Sequence, residues 1–369
     1  MALKSSLKFD KILFFSIILL LILGLVIFLS ASLGILPQNE LKFILLLKSQ
    51  LFYSLILAPV ALYLGFKIEY FYYRKLAIFI FILSYLVSFL VLVPGLGFSY
   101  NGATRWIHLF GFSLQPSEIL KLGTVILFSF LVLKYKKYFN DYKFGLLLFI
   151  FIWILLTIPV LFIQKDFGTM AIILLSSFIV YCISGAKRKY IAFIFLLSFL
   201  FFVILLEIRP YMKERILTFL DSDRDVLGSS YQITQSLIAV GAGQIYGRGI
   251  GQSIQKFNYL PEQISDSIFA VYAEEVGFIG SLFLIAIFTF IALRSIFLIK
   301  QITDPFGVFL GIGIISIFFF QFFLNIAATI GFLPLTGIPL PLVSRGGTSL
   351  VIVMFELGIL LNISKYRFL

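Results

Sequence analysis

Two carboxylates lie where a long polar segment meets an apolar run. Residues 207–266 form a polar insert in an otherwise apolar chain, and Glu262 and Asp266 close it immediately before the apolar run that begins at Ile268. Ionisable groups at a hydrocarbon boundary are costly and usually functional. Asp266 opens a predicted helix, so it is either a helix cap or a general base or metal ligand. As a cap it has a lowered pKa, because the helix dipole stabilises its charge.

Three further charged residues are spaced for binding an anion. Glu118 and Lys121 are three residues apart at the start of a predicted helix, so they share one face and form either an ion pair or part of a site. Arg105 adjoins Trp106 in a loop, where it either reaches lipid headgroups or contacts a substrate. A pyrophosphate suits both cations, because Arg binds it by paired hydrogen bonds and Lys as a point charge.

Polar groups also mark two turns between predicted helices. Asp166 is either a cap or local ion-pair partner, or a group that orients a cation or holds the bundle open. Ser344 and Arg345 lie in a proline- and glycine-rich break, and they either line a polar cleft or belong to a re-entrant packing loop. The glycines of residues 241–251 do not follow a strand as a phosphate loop requires, so they indicate a flexible hinge.

Cysteine and histidine chemistry has little support in this sequence. The chain has one histidine, His108, and one cysteine, Cys182, so neither a triad with a nearby thiol nor a Cys/His metal cluster is available. Oxygen ligands remain, and they suit Mg²⁺ or Mn²⁺. We therefore expect at most one of these ions, at unknown ligands, and no organic cofactor.

The elements that position these residues belong in a membrane. Hydrophobic residues make up 61% of the chain and charged residues 12%, and the mean hydropathy is +1.10. Soluble proteins average about 45–50% apolar and about 25% charged residues. The composition predicts an all-α polytopic membrane protein, a single bundle over residues 1–369.

Ten apolar runs approach the length of about 20 residues that a transmembrane helix needs. The seventh and eighth runs flank residues 207–266, which become one large extracytoplasmic loop. The predicted spans are Lys11–Ser32, Lys48–Gly65, Leu76–Leu96, Ser117–Leu133, Phe144–Phe162, Phe167–Ile183, Tyr190–Leu206, Ser267–Leu293, Phe306–Leu333 and Gly347–Ile363.

Basic residues concentrate on alternate connections between these spans. The positive-inside rule then places both termini and these connections in the cytoplasm, and the polar motifs outside. The net charge of +12 is spread over six short segments instead of one basic face, so a nucleic-acid partner is not expected.

Several short motifs, in order along nearly the whole chain, resemble the shape, elongation, division and sporulation (SEDS) family of peptidoglycan polymerases. Residues 249–262 resemble the division branch of that family more than the elongation branch. The motifs are Ser30-Ala31-Ser32, Asn101-Gly102-Ala103 with Arg105-Trp106, Gln115-Pro116-Ser117-Glu118 with Lys121, Asp166 with Gly168-Thr169, Tyr231 with Gln235-Ser236, Leu260-Pro261-Glu262 with Asp266, Glu274-Glu275 with Gly277, and Ser344 with Gly346-Gly347.

The resemblance implies a glycosyltransferase that polymerises lipid II on the outer face of the bacterial cytoplasmic membrane. Asp266 matches the essential carboxylate of the family, and Arg105, Glu118, Lys121, Asp166, Glu262, Ser344 and Arg345 are the expected substrate-binding residues. The implied partners are a class B penicillin-binding protein that cross-links the glycan, other divisome or elongasome membrane proteins, and membrane lipid.

The chain departs from the family pattern at two places. Ile264 stands where the family usually has histidine, and Arg345 where it usually has tyrosine. An elongation-type polymerase is the nearest alternative function. A lipid II flippase or other transporter is a second one, although it predicts charges through the membrane midplane. A scaffolding division protein needs no set of paired cations and carboxylates.

Overall fold

The computed structural model describes residues 9–100, 103–109, 112–135, 142–208, 210–221 and 228–367. These residues form an α-helical bundle with one small antiparallel sheet. The helices are α1 (Lys11–Ser32), α2 (Glu40–Phe52), α3 (Ala58–Lys67), α4 (Tyr70–Val87), α5 (Pro116–Lys134), α6 (Tyr142–Thr157), α7 (Phe167–Ile183), α8 (Arg188–Ile208), α9 (Pro210–Leu220), α10 (Ser229–Ala242), α11 (Ile268–Ile299), α12 (Pro305–Thr329) and α13 (Gly347–Ser364), and the strands are β1 (Gly97–Tyr100), β2 (Ala103–Leu109) and β3 (Phe112–Leu114).

The helices identify a multi-pass membrane protein. Among the described residues, 8 helices are long and apolar enough to cross a membrane. Two shorter apolar helices, Phe149–Ile163 and Phe167–Ile183, coincide with two further predicted spans. The count of ten spans therefore stays a prediction. Some of the basic residues that set the predicted orientation lie outside the described residues; they are Lys4, Lys8, Lys136 and Lys137.

The second span begins earlier than its hydropathy predicts. Helices α2 and α3 run through the π-helical turn Tyr53–Leu57 as one span, Glu40–Lys67, of 28 residues. Asn39 starts it, because its side chain accepts a hydrogen bond from the backbone N–H of Lys42. The first turns of α2 therefore extend toward the membrane surface that carries the polar motifs.

The helices differ in how deeply they are enclosed. In the apolar windows of α5, α12 and α13, 78%, 67% and 72% of the residues are buried, whereas the figure for α8 is 11%. Helices α5, α12 and α13 form the centre of the bundle, and α8 lies at its edge. The central helices thus provide the rigid wall beneath the polar motifs.

A small three-stranded sheet accompanies the predicted α-helical bundle. Strand β2 pairs antiparallel with β1 on one side and with β3 on the other. Ile107 is fully buried while the neighbouring His108 is exposed, as expected for the two-residue period of a strand. Arg105 lies on β2, and the sheet holds this strand in place. Asn101 and Gly102 of the family motif lie outside the described residues.

The end of the polar insert packs against α11 instead of forming the predicted flexible hinge. Glu274 accepts hydrogen bonds from Ser253 Oγ and from the backbone N–H groups of Ile254 and Gln255. Glu275 forms an ion pair with the fully buried Lys256, at 2.8 Å between Oε1 and Nζ. Two adjacent carboxylates therefore hold this loop on α11.

Glycine is required in this loop because two backbones nearly touch. Gly247 has a φ of +81°, and a Cβ atom on it would lie 2.2 Å from the Glu275 carbonyl oxygen. The backbone N–H groups of Arg248 and Gly249 donate to the carbonyls of Glu274 and Glu275. The glycines that suggested a hinge in the sequence instead permit a close approach.

Candidate active site

Three charged side chains converge at the turn that contains Gly337. A Cβ atom built on Gly337 would lie 3.7 Å from Asp266 Oδ2, 4.0 Å from Arg105 Nη1 and 4.0 Å from Arg215 Nη1. The absence of a side chain at Gly337, which has a φ of +70°, leaves the space between them open. One carboxylate therefore faces two guanidinium groups across a small gap.

The surroundings of Asp266 raise its pKa to about 6. Burial is the largest cause, and the negative charges of Glu262 and Asp166 act in the same direction. Arg215 and Arg105 oppose the shift by stabilising the carboxylate. A carboxylate with a pKa near neutrality is a better proton acceptor than an ordinary aspartate, and it is still mostly ionised at pH 7.

Asp266 does not cap the helix that follows it. The N-cap position of α11 is Ser267, and its side chain makes no capping hydrogen bond. The predicted lowering of the Asp266 pKa by the helix dipole is therefore wrong, because desolvation outweighs the favourable charges. Asn325 holds the backbone instead, with Nδ2 donating to the carbonyls of Asp266 at 2.9 Å and Ile338 at 2.8 Å.

Backbone carbonyls fix both arginines. Arg105 donates from Nε to the Gln164 carbonyl at 3.1 Å and from Nη2 to the Lys165 carbonyl at 2.7 Å. Arg215 donates from Nη1 to the Leu335 carbonyl at 2.6 Å. Neutral acceptors orient the two guanidinium groups without cancelling their charge, so both remain able to attract an anion.

Arg215 was not among the residues predicted for the site. It lies on α9, inside the polar insert, and no motif marks it in the sequence. Only the return of α9 toward Leu335, 120 residues later, brings Arg215 to Asp266. The abundance of charge in the insert was the one available signal.

Three predicted site residues lie beside Asp266 with different environments. Glu262 is exposed and accepts a hydrogen bond from Ser265 Oγ. Ser344 is buried, and its hydroxyl donates to the Ser265 carbonyl and accepts from the Leu340 N–H, so it braces the loop and does not line a cleft. Arg345 donates its backbone N–H to the Ile264 carbonyl, and its side chain is exposed.

Glu118 and Lys121 form the predicted ion pair inside the bundle. Lys121 Nζ lies 3.0 Å from Glu118 Oε2 and 2.8 Å from Gln321 Oε1, and the lysine is fully buried. Ser349 Oγ donates to the same Glu118 oxygen. The prediction that Lys121 binds pyrophosphate beside Arg105 is not supported, because its ammonium is enclosed and already paired.

Asp166 is a helix cap, as one of its two interpretations predicted. Its side chain accepts from the Thr169 backbone N–H at the start of α7, from Thr169 Oγ1, and from Gln115 Nε2. Ser117 Oγ adds a fourth hydrogen bond. Asp166 therefore ties the start of α5 to the start of α7, and its charge still acts on Asp266.

Glu356 is a buried acid that the sequence analysis missed. It lies in the middle of α13, it is 1% exposed, and neither carboxylate oxygen has a hydrogen-bond partner in the described part of the chain. Lys121 and Glu118 are the charged groups that act on it. The available sequence signal was an acidic residue in the middle of an otherwise apolar helix, two turns beyond Ser349.

The donor set for a metal ion is sparse. Across the described ranges, no group of three or more His, Cys, Asp or Glu side chains is arranged to hold a metal. Asp266 and Glu262 are the two carboxylates at the candidate site, and one or two carboxylate ligands suit a Mg²⁺ ion that retains its water molecules.

Comparisons with known proteins identify the family. The model of the FtsW/RodA/SpoVE family, described as "Cell cycle protein", matches residues 10–368. The chain belongs to this family. FtsW/RodA/SpoVE proteins are the group that the sequence motifs resembled, so that prediction is confirmed.

Individual FtsW/RodA/SpoVE relatives match over almost their whole length. Stage V sporulation protein E of Bacillus subtilis (strain 168) is 34% identical over 357 residues, which cover 97% of both chains. A probable peptidoglycan glycosyltransferase FtsW of Wigglesworthia glossinidia brevipalpis is 35% identical over 382 residues, covering 97% of this chain and 96% of the relative.

Two solved structures share the fold of this family member. A chain from the structure "Structural coordination of polymerization and crosslinking by a peptidoglycan synthase complex" has a TM-score of 0.79 and 26% identity, covering 98% of this chain and 99% of the other. Rod shape determining protein RodA of Thermus thermophilus has a TM-score of 0.67 and 24% identity, covering 98% of both, which shows the fold alone.

Proposed function

We propose that this protein is a peptidoglycan glycosyltransferase that polymerises lipid II, in the septal synthesis of cell division. The convergence of Asp266, Arg105 and Arg215 around Gly337 carries this proposal. A glycosyl transfer from a lipid diphosphate needs a base for the acceptor hydroxyl and positive charge for the leaving pyrophosphate. The relatives called probable peptidoglycan glycosyltransferase FtsW support the same reaction and the division role.

Asp266 removes the proton from the acceptor hydroxyl as that oxygen attacks the anomeric carbon of the donor. The bond from this carbon to the pyrophosphate breaks, and the electron pair leaves with the pyrophosphate. Arg105 and Arg215 stabilise the charge that develops there, and their carbonyl partners keep them oriented before the reaction begins. A single displacement of this kind inverts the anomeric centre.

The site lies at the membrane surface, where the diphosphate of a lipid-linked sugar is located. The lipid tail stays in the bilayer, while the diphosphate and sugars lie at the surface, and Asp266 lies two residues before the membrane-spanning helix Ile268–Ile299. With both termini in the cytoplasm, as the basic connections predict, this end of the bundle faces outward. Peptidoglycan is assembled on that face of the cytoplasmic membrane.

A cross-linking transpeptidase of the class B penicillin-binding type is the proposed partner. The solved chain with 26% identity belongs to a synthase complex that coordinates polymerization and crosslinking. New glycan leaves the Asp266 site on the outer side, where such an enzyme acts. Other divisome membrane proteins are further proposed partners.

A divalent cation remains a proposal for this site. Glu262 would be its protein ligand, with Asp266 left free to act as the base, and the ion would add positive charge beside the pyrophosphate. Polymerisation measured after chelation and again after Mg²⁺ or Mn²⁺ is restored tests this: full activity in the chelator contradicts it.

Turnover of labelled lipid II by the purified protein tests the function. We expect Asp266→Asn to abolish polymer while the protein stays folded. Asp304→Asn is the matched control, because Asp304 caps α12 at the opposite end of the bundle and asparagine caps equally well. Polymer at the wild-type rate from Asp266→Asn refutes Asp266 as the base.

A further inference from the structure

A groove beside the outer part of α2 combines two cations with an apolar wall. Its volume is about 410 Å³. We call it the α2 groove. Its lining residues include Asn39, Leu41, Lys42, Leu45, Ser49 and Arg345. No step of the mechanism above uses it.

The order of residues along α2 makes the groove amphipathic. Leu41, Leu45 and Ser49 are spaced by four residues, so they form one stripe down the helix. Leu41 is 68% exposed and Leu45 58% exposed, so in a bilayer both contact lipid chains. Lys42 lies in the first turn of α2, next to Leu41 at the outer end of this stripe. Positive charge in the first turn of α2, with Leu45 three residues further into the helix, fits a phosphate attached to a lipid tail.

Both cations of the groove are available to a ligand. Lys42 is exposed, and its ammonium forms no hydrogen bond or ion pair within the ranges that the structure describes. Arg345 is exposed, and the charged group that acts on it is Glu262. Both side chains can therefore turn toward an anion without breaking a bond within the bundle.

The α2 groove and the two site arginines both adjoin the short acidic segment from Glu262 to Asp266. Arg345 is bound through its backbone to Ile264, two residues before Asp266. Glu262 acts on both Arg345 and Asp266, whereas Arg105 and Arg215 meet Asp266 from the Gly337 side. The segment that contains the base Asp266 therefore adjoins two different pairs of cations.

We propose that the α2 groove binds the pyrophosphate of the acceptor, the lipid-linked glycan whose hydroxyl is deprotonated by Asp266. This inference rests on the proposed function. Polymerisation joins two lipid diphosphates, and only the donor loses its pyrophosphate. The donor pyrophosphate needs the rigid pair Arg105 and Arg215, since charge develops on it. The acceptor pyrophosphate stays intact, and an exposed pair of cations beside a lipid-facing wall is sufficient to hold it.

This assignment predicts a division between binding and turnover. A contact with the acceptor pyrophosphate has the same strength before and during the reaction, so its loss raises KM and leaves kcat unchanged. A contact with the departing pyrophosphate strengthens in the transition state, so its loss lowers kcat. Lys42→Gln with Arg345→Gln should therefore raise the KM for lipid II about tenfold or more, while Arg215→Gln should lower kcat.

The test uses the full chain in lipid nanodiscs with labelled lipid II. The matched control is Lys48→Gln, which removes one positive charge from the same helix outside the groove and should change neither constant. Nanodiscs of phosphatidylcholine alone are compared with nanodiscs that also contain phosphatidylglycerol. If the KM defect of the double variant requires phosphatidylglycerol, the groove binds bulk phospholipid, and the inference is overturned.

Binding measured without turnover separates this inference from the proposed function. On an Asp266→Asn background, the two groove substitutions should still weaken lipid II binding about tenfold. Unchanged affinity there, or a lowered kcat with an unchanged KM in the active protein, overturns the inference and leaves the Asp266 mechanism intact. Polymer from Asp266→Asn overturns the mechanism, while the affinity measurement still decides the groove.

Discussion

The pH dependence of polymerisation is the sharpest consequence of the site. Asp266 acts as a base only when it is ionised, and its pKa is about 6. A group with that pKa is about 90% ionised at pH 7 and about 10% ionised at pH 5. We therefore expect kcat/KM to fall about tenfold between pH 7 and pH 5, with its midpoint near pH 6.

Substitutions around Asp266 should move this midpoint in opposite directions. Glu262→Gln removes a negative charge that raises the Asp266 pKa, so the acidic limb should shift to lower pH. Arg215→Gln removes a positive charge that lowers the pKa, so the limb should shift to higher pH, in addition to any loss of rate. A tenfold change in the acid dissociation constant of Asp266 corresponds to about 1.4 kcal/mol of interaction with the removed charge.

Initial rates of the purified protein on labelled lipid II between pH 4.5 and 8 measure the midpoint, within a pH range where each variant remains folded. Glu214→Gln is the matched control, because Glu214 is exposed on α9 beside Arg215 and does not act on Asp266. A rate that stays flat from pH 7 to pH 5, or identical midpoints for Glu262→Gln and Arg215→Gln, would refute the reasoning.

Three further substitutions test the turn, the buried ion pair and the buried acid. Gly337→Ala should lower stability by about 1–2 kcal/mol, because its φ is +70°, and should reduce polymerisation by disturbing the charged cluster. Lys121→Met should destabilise the protein by about 3–5 kcal/mol, since it leaves Glu118 charged and buried without its partner. Glu356→Gln should be neutral or stabilising by about 1 kcal/mol, because both oxygens lack a hydrogen-bond partner in the described residues. Thermal unfolding in detergent and the lipid II assay measure all three.

Two of these substitutions have a control within the chain. Gly331→Ala carries the same backbone strain, at a φ of +72°, but meets Leu237 instead of Asp266, so it should lose stability without a specific loss of rate. Glu274→Gln should destabilise, in contrast to Glu356→Gln, because Glu274 accepts hydrogen bonds from the insert. Lys121→Met that unfolds at the wild-type temperature would contradict the role of the ion pair.

Local spacing made part of the site predictable. The i,i+3 spacing of Glu118 and Lys121 offered an ion pair as one of two interpretations, and the tight turn offered a helix cap as one interpretation of Asp166; the structure has both. Asp266 was selected because a polar insert ends there. These signals depend on residues a few positions apart, so they can be read from the sequence without knowledge of the fold.

Contacts between residues that are far apart in the sequence could not be predicted from local spacing. Arg215 reaches Asp266 only because α9 binds the carbonyl of Leu335, and the burial that raises the Asp266 pKa depends on all the surrounding segments. The glycines near Gly247 have the composition of a hinge, and only the backbone of α11 beside them explains why side chains are absent. The small sheet was missed because its strands are as short as three residues.

The anchoring of the insert by Glu274 and Glu275 determines which wall of the site can adapt. Because both carboxylates bind the loop, residues Ser253 to Lys256 are fixed against the first turns of α11. Space for a lengthening sugar polymer must then come from the other side of the site, where Arg215 lies on α9. An inhibitor that wedges α9 against Leu335 would block that accommodation without occupying the reaction centre.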